Sequence, residues 1–155
     1  MDCRFVKKVI MSNWLYEEVE IDSVEKLPEG VVAFVYRITR ISDGKFYIGK
    51  KSLYSERTKA LTKKELSEQT DKRKSKKKKV VSESDWKTYY GSDIALKEEV
   101  KKNGADGFKR EIIKLCYNKK QASYHEVRQQ ILHNCLESDN CWNGQILGKF
   151  WRKDV

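Results

Sequence analysis

Two phenols, Tyr36 and Tyr47, stand eleven residues apart with Lys50 and Lys51 close behind the second. A phenol can donate a hydrogen bond to an anionic oxygen. As phenolate it can also take a proton, which is demanding because its ordinary pKa is about 10. Neighbouring ammonium groups would lower that value, since positive charge favours the anion. Whether the rings can act together depends on the element that carries them. Val35–Thr39 is an apolar run, Ser42-Asp43-Gly44 a turn, and Phe46–Ile48 a second run closed by Gly49. That pattern predicts a β-hairpin, because Asp-Gly accepts positive φ at little cost. Side chains alternate faces along a strand, so an even-numbered loop puts both tyrosines on one face. A four-residue loop over 41–44 places Tyr47 opposite Ile38, with Tyr36 its diagonal neighbour about 7 Å away. An odd loop would separate them. The plainer reading is of two ordinary sheet aromatics, a role in which Tyr is common.

The second chemically suggestive feature is charge. The 155 residues carry a formal net charge of +10, and ten basic residues against three acidic ones fall between Lys59 and Lys79. The run Lys72, Arg73, Lys74, Lys76, Lys77, Lys78 and Lys79 is a ready phosphate-binding patch or, as plainly, a solvated basic loop; like charges that repel one another predict an exposed, mobile segment. With 39% hydrophobic and 36% charged residues, the chain is one domain's worth with a modest core. No apolar run approaches 18 residues and no signal pattern opens the chain, so the expectation is a soluble cytoplasmic protein with no membrane contact. The four cysteines form no Cys-x-x-Cys pair, and reduced thiols are expected. His125, His133, Cys135 and Cys141 match no standard zinc spacing.

The elements that must position these groups follow from pattern. Residues 1 to about 30 read as an N-terminal extension that packs on the domain as an added strand or short helix, punctuated by Pro28-Glu29-Gly30. Residues 53–69, with Leu53, Ala60, Leu61 and Leu66 at loose helical spacing, predict a helix. A second helix starts with Ser92 or Asp93 as N-cap and stops at Gly104, burying Ile94, Ala95, Leu96 and Val100. Phe108–Tyr117 is the third strand. A long helix over about 120–136 carries Tyr124, Val127, Ile131, Leu132 and Cys135 as its core stripe, with Glu126 at the edge of the buried face.

Tyr36, the step to Tyr47 and the intact Tyr47-Ile48-Gly49 resemble the GIY-YIG nuclease family. Phe34-Val35-Tyr36 stand where the family usually has Gly-Ile-Tyr, so the tyrosine is kept and the glycine is not. The segment Trp86–Ser92, an aromatic pair followed by Gly-Ser, is similar to one seen in phage-type members. The resemblance runs from about Val32 to Ile146. It implies an α/β (α+β) fold, a small three-stranded antiparallel sheet flanked by helices, in a nuclease domain over 31–155 with a basic insertion at about 59–85.

For function the resemblance implies an endonuclease that hydrolyses DNA with Mg²⁺ or another divalent cation, of the free-standing homing kind found in phage genomes, with no small-molecule cofactor. Its catalytic positions fall on Tyr36 as general base, Tyr47 on the scissile phosphate or nucleophile, Arg57 bridging phosphate oxygens, Glu126 as the metal ligand and Asn143 orienting the glutamate or adjacent backbone. One carboxylate suffices, because Mg²⁺ keeps several waters and borrows substrate oxygens. Lys50, Lys51 and the lysine run would bind nucleic acid. A member that has lost catalysis, or an unrelated basic module that binds nucleic acid on lysines and stacking tyrosines, is the other class these residues fit.

Overall fold

The computed structural model describes residues 13–155. Cys3 and the first apolar positions of the N-terminal extension, Phe5, Val6, Val9 and Ile10, lie outside the described residues. Two compact units emerge: one runs to Leu53 and resumes from Asp85 to Val155, and the other is Tyr54–Ser84.

The first unit contains strands β1 (Trp14–Tyr16), β2 (Val19–Ile21), β3 (Ala33–Arg40) and β4 (Phe46–Ser52). The second holds β5 (Tyr54–Ala60), helix α1 (Lys63–Glu68) and β6 (Lys77–Glu83). The chain then returns to the first with α2 (Ile94–Asn103), β7 (Phe108–Cys116), α3 (Lys119–Leu132) and the short pair β8 (Gln145–Ile146) and β9 (Phe150–Trp151).

The three expected strands lie side by side, and β1 and β2 extend them into a five-stranded sheet ordered β2-β1-β7-β3-β4. All neighbours are antiparallel except β1 and β7. The hairpin closes as the sequence predicts: Arg40 N–H donates to Lys45 O at 2.8 Å, and Tyr47 lies opposite Ile38. Tyr36 and Tyr47 therefore share a face.

Alternation along β3 sorts the core into two layers. Phe34, Tyr36 and Ile38 join Trp14, Trp86, Leu96 and Phe108 on one face, while Ala33 and Val35 meet Phe46, Ile48 and Ala122 of α3 on the other. Phe34, at the position of the motif glycine, is fully buried and meets Trp14 and Trp86 edge-on, at ring centroids 5.0 and 6.2 Å. The indole Nε1 of Trp14 donates to Trp86 O at 2.7 Å, which ties the first strand to the segment that follows the second unit. Helix α2 has the expected ends, Asp93 accepting from Leu96 N–H and Gly104 stopping the last turn at φ 84°. Ile94 and Ala95 nevertheless face out, and only Leu96 is buried.

Two expectations fail. Residues 53–69 form no single helix. Leu53 is core, Tyr54–Ala60 is a strand paired with Lys77–Glu83, and only Lys63–Glu68 is helical, behind a capping box of Thr62 and Glu65. The lysine run is likewise not all loop, because Lys77, Lys78 and Lys79 sit in β6 opposite Ala60, Lys59 and Thr58. Helix formers in 54–60 are drawn into a strand by a partner seventeen or more residues away, a non-local pairing that propensity does not register.

Candidate active site at the free edge of β4

Strand β4 ends the sheet, so Phe46, Ile48 and Lys50 turn their N–H and C=O groups away from β3. Groups of this kind must find partners when buried, and here the chain supplies them. Phe46 N–H donates to Asn140 O at 3.0 Å and its carbonyl accepts from Trp142 N–H at 2.8 Å. At Ile48 the carboxamide of Asn143 replaces a strand: Oδ1 accepts the N–H at 2.9 Å and Nδ2 donates to the C=O at 2.8 Å, with Gln130 Nε2 adding a bond at 3.1 Å. At Lys50, which is exposed, the side chain pairs with the carboxylate of Glu126, Nζ to Oε2 at 3.6 Å. The tail that brings Asn143 here is itself fixed by Arg152, whose guanidinium donates to the carbonyls of Cys135, Ser138, Cys141 and Asn143 at 2.5–3.1 Å.

This use of the edge overturns the expected stripe of α3. Tyr124, Ile131 and Leu132 are exposed and Val127 is half-buried, and of the expected stripe only Cys135, just past the helix, is buried; the inward positions are Ala122, Glu126 and Gln130, four residues apart. Glu126 thus lies in the middle of the inward face rather than at its edge. The helix turns polar groups inward because the strand beside it has backbone groups to satisfy.

On the other face, the Tyr36 and Tyr47 rings lie 6.2 Å apart. Gly49 makes this possible: a Cβ there would collide with the Tyr36 hydroxyl and come within 2.7 Å of its Cζ and 3.0 Å of Tyr47 Cε1. Gly91, at φ +87°, backs the same Tyr47 ring, where a Cβ would sit 3.3 Å from it. The next residue, Ser92, hydrogen-bonds the Tyr47 hydroxyl at 2.9 Å. Both glycines of the recognisable motifs therefore seat one phenol.

Tyr47, Ser92, Asp93, Glu126, Gln130 and Trp151 line a cleft of about 420 Å³, with Asn143 in its wall. A cavity of about 490 Å³ beside Arg40, Asn103 and Phe108 contains none of the expected site residues. Beside the cleft, Lys50 Nζ lies 3.6 Å from Glu126 Oε2 and donates to Ser123 Oγ at 2.6 Å. Burial raises the Glu126 carboxyl above its ordinary value, against the pull of Lys50. Burial also pushes Tyr47 up to about 12.

Tyr36 is buried among Trp14, Phe34 and Tyr89 behind Tyr47, and it does not line the cleft. Its phenol is raised well above the ordinary value, first by burial and then by Tyr47 and Tyr89. The expected lowering does not occur: burial dominates, and the two lysines pair with other groups, Lys50 with Glu126, and Lys51 with Asp85 at 2.5 Å and the Tyr89 ring at 3.9 Å.

The structure thus brings Tyr47, Glu126 and Asn143 together at one cleft, with Lys50 beside Glu126, Tyr36 buried behind Tyr47, and Lys51 on the Tyr89 side. Arg57 belongs to the second unit, exposed on β5 opposite Val80. Lys72, Arg73, Lys74, Lys76, Lys77 and Lys79 are exposed in that unit, and Lys78 is half-buried against Glu65. The sequence reading missed Gln130 and the contact of Ser92 with Tyr47. Gln130 was findable as the polar residue one turn beyond Glu126. Among the described residues no three His, Cys, Asp or Glu side chains cluster as a metal site, and no helix is long and apolar enough to cross a membrane.

The family model described as "Putative endonuclease segE, GIY-YIG domain" matches residues 14–146. No curated protein and no solved structure matches the chain. The match takes in both tyrosine strands, the glutamate helix and the asparagine that closes the edge, and it shows that the chain belongs to the GIY-YIG endonuclease family.

Proposed function

We propose that the chain is a divalent-metal-dependent endonuclease that hydrolyses DNA phosphodiester bonds in the cleft beside β4. The observation that carries this reading is Glu126. It is a partly desolvated carboxylate on the inward face of α3, paired with Lys50 of β4 at 3.6 Å and open to the cleft that Tyr47 lines. A lone carboxylate suits Mg²⁺, which binds through one or two carboxylates plus substrate phosphate and retained water. Glu126 would hold the cation, which would neutralise charge building on the phosphoryl oxygens.

The remaining roles belong to the chain's own groups. Tyr47, protonated at neutral pH, is a hydrogen-bond donor aimed by Ser92 and able to reach a phosphate oxygen. Asn143 is a positioning residue: it fixes Ile48, and so the Tyr47 and Gly49 that flank it. Tyr36 is a neutral phenol in the free protein, so a role as base requires substrate to bring positive charge to it. The phosphate-gripping role expected of Arg57 is assigned to the basic surface of the second unit.

The test is supercoiled plasmid with Mg²⁺, wild type beside Glu126→Gln. The expected result is a loss of cleavage of at least ~10²-fold, with metal-free DNA binding equal or tighter, because a carboxylate facing a polyanion has been neutralised. Equal cutting by the Gln variant would remove the site from Glu126. A member of the family that binds nucleic acid without cutting is the second reading, favoured by the buried, protonated Tyr36; absence of cleavage by the wild type with Mg²⁺ or Mn²⁺ would establish it.

A further inference from the structure

The second unit has a surface that the cleft chemistry does not use. Its two strands are seven residues each, about 24 Å long, and pair in register from Tyr54↔Glu83 to Ala60↔Lys77. Cross-strand partners share a face, which divides the ribbon into two unlike sides. One side carries Ser55, Arg57, Lys59, Lys78, Val80 and Ser82; there Lys78 is tied to Glu65 of α1, and Ser55, Lys78 and Val80 are half-buried. The other side carries Glu56, Thr58, Ala60, Lys77, Lys79 and Val81, with Tyr54 and Glu83 at its end, and every one of them is exposed. Val81 is 61% exposed. The unit has eleven basic residues against five acidic ones, so its complement is a polyanion.

We propose that this ribbon enters the major groove of duplex DNA with the Thr58–Lys79 side towards the base edges. The inference rests on the reading of the chain as acting on DNA, and it names what the second unit does there. The major groove of B-DNA, about 12 Å wide, admits a two-stranded β-ribbon. The open side is chemically mixed in a way that phosphate binding does not need. Lys77 and Lys79 can donate to guanine O6 and N7, Glu56 can accept from cytosine N4, and the methyl groups of Thr58 and Val81 can meet the thymine methyl. A side meant for phosphate alone would carry no carboxylate. Phosphate contacts fall to the flanking cations, Arg57 and Lys59 on the opposite side and Lys72, Arg73 and Lys74 in the segment before β6. Duplex RNA is excluded, because its major groove is too deep and narrow for side chains to read.

The test uses the full chain in EDTA. Preferred duplexes are selected from a random pool, and binding is then measured with 7-deazaguanine replacing guanine, which removes only the major-groove N7 acceptor, and with duplex RNA of the same sequence. The proposal expects roughly tenfold or greater weakening in both cases. It also expects Thr58→Ala with Lys79→Ala to flatten the preference between sequences, whereas Lys72→Ala, Arg73→Ala and Lys74→Ala together weaken all sequences alike and cut the salt slope by about 0.9 for each phosphate that is no longer neutralised. Unchanged thermal melting of these exposed-site variants shows that the fold is kept. If no sequence is preferred, if 7-deazaguanine changes nothing while DNA still binds, or if duplex RNA binds as tightly, the proposal is overturned. Cleavage with no major-groove effect would sink this inference and leave the nuclease reading standing; a major-groove effect without cleavage would do the reverse. Absence of DNA binding would sink both.

Discussion

The two units of this chain reach order by opposite means. The first buries two apolar layers about a five-stranded sheet and closes its working edge with buried side-chain hydrogen bonds. In the second, none of residues 54–84 is buried, and its strands are held by their ladder, by the Thr62–Glu65 capping box and by the ion pair of Glu65 with Lys78. A two-stranded ribbon alone is marginal in water. The contrast teaches that the geometry of the candidate site has been placed where packing dictates it, and charge where nothing packs.

Breaking the contrast at its strong end should give the largest effect. Asn143→Ala leaves the Ile48 N–H without its acceptor and the Ile48 carbonyl with Gln130 alone, and opens a small void. The expected cost is about 2–4 kcal/mol, a fall in Tm of roughly 5–15 °C. An unchanged Tm would mean that Asn143 does not hold the edge.

Next is Gly49→Ala, which forces a methyl between two rings and should cost about 1–3 kcal/mol. Tyr36→Phe on that background removes the hydroxyl nearest the added carbon and should recover part of the loss. Denaturant titration of the two single variants and the double variant would show coupling; simple additivity would refute the close approach.

The weakest effect belongs to the second unit and is one of pH. Glu65 is held at about 2, from an ordinary 4.5, first by Lys78 and then by the backbone and hydroxyl of Thr62. A carboxyl depressed by folding contributes fully above its ordinary value and loses that contribution as pH falls towards about 2. Protection factors of the Thr62 and Glu65 amides, corrected for the intrinsic exchange rate at each pH, should therefore fall between about pH 4.5 and 2, with Ile48 and Tyr36 protected over the same range. Simultaneous loss of protection in both units would erase the distinction between them.

The same contrast explains what could be read from sequence. The hairpin register, the Asp93 cap and the Gly104 stop depend on residues within a few positions of one another, and they stand where spacing put them. The five-stranded extent of the sheet depends on a parallel pairing of Trp14–Tyr16 with Arg110–Ile112, which no local pattern announces. The lysines of β6 hid a strand, since Lys is depleted in strands and their partners lie in β5. On α3, apolar periodicity pointed to Tyr124, Ile131 and Leu132, because the pattern assumes that the inward face seeks oil. That face instead meets backbone groups that β3 leaves unpaired, so Glu126 and Gln130 go in with Ala122, and Tyr124, Ile131 and Leu132 go out. Glu126 and Asn143 were legible through family resemblance alone, as neither has a local signature.

The closure of β4 also bears on how the protein behaves in company. An unpaired strand edge is a template on which another copy can add a strand and begin a fibre. Here an incoming strand would have to displace Asn140 and Trp142 at Phe46 and Asn143 and Gln130 at Ile48. At the opposite end of the sheet β2 is only three residues long, too short to recruit a partner well. The residues that build the cleft are in this way the ones that keep the sheet from growing, so substitutions there put colloidal behaviour at risk along with activity.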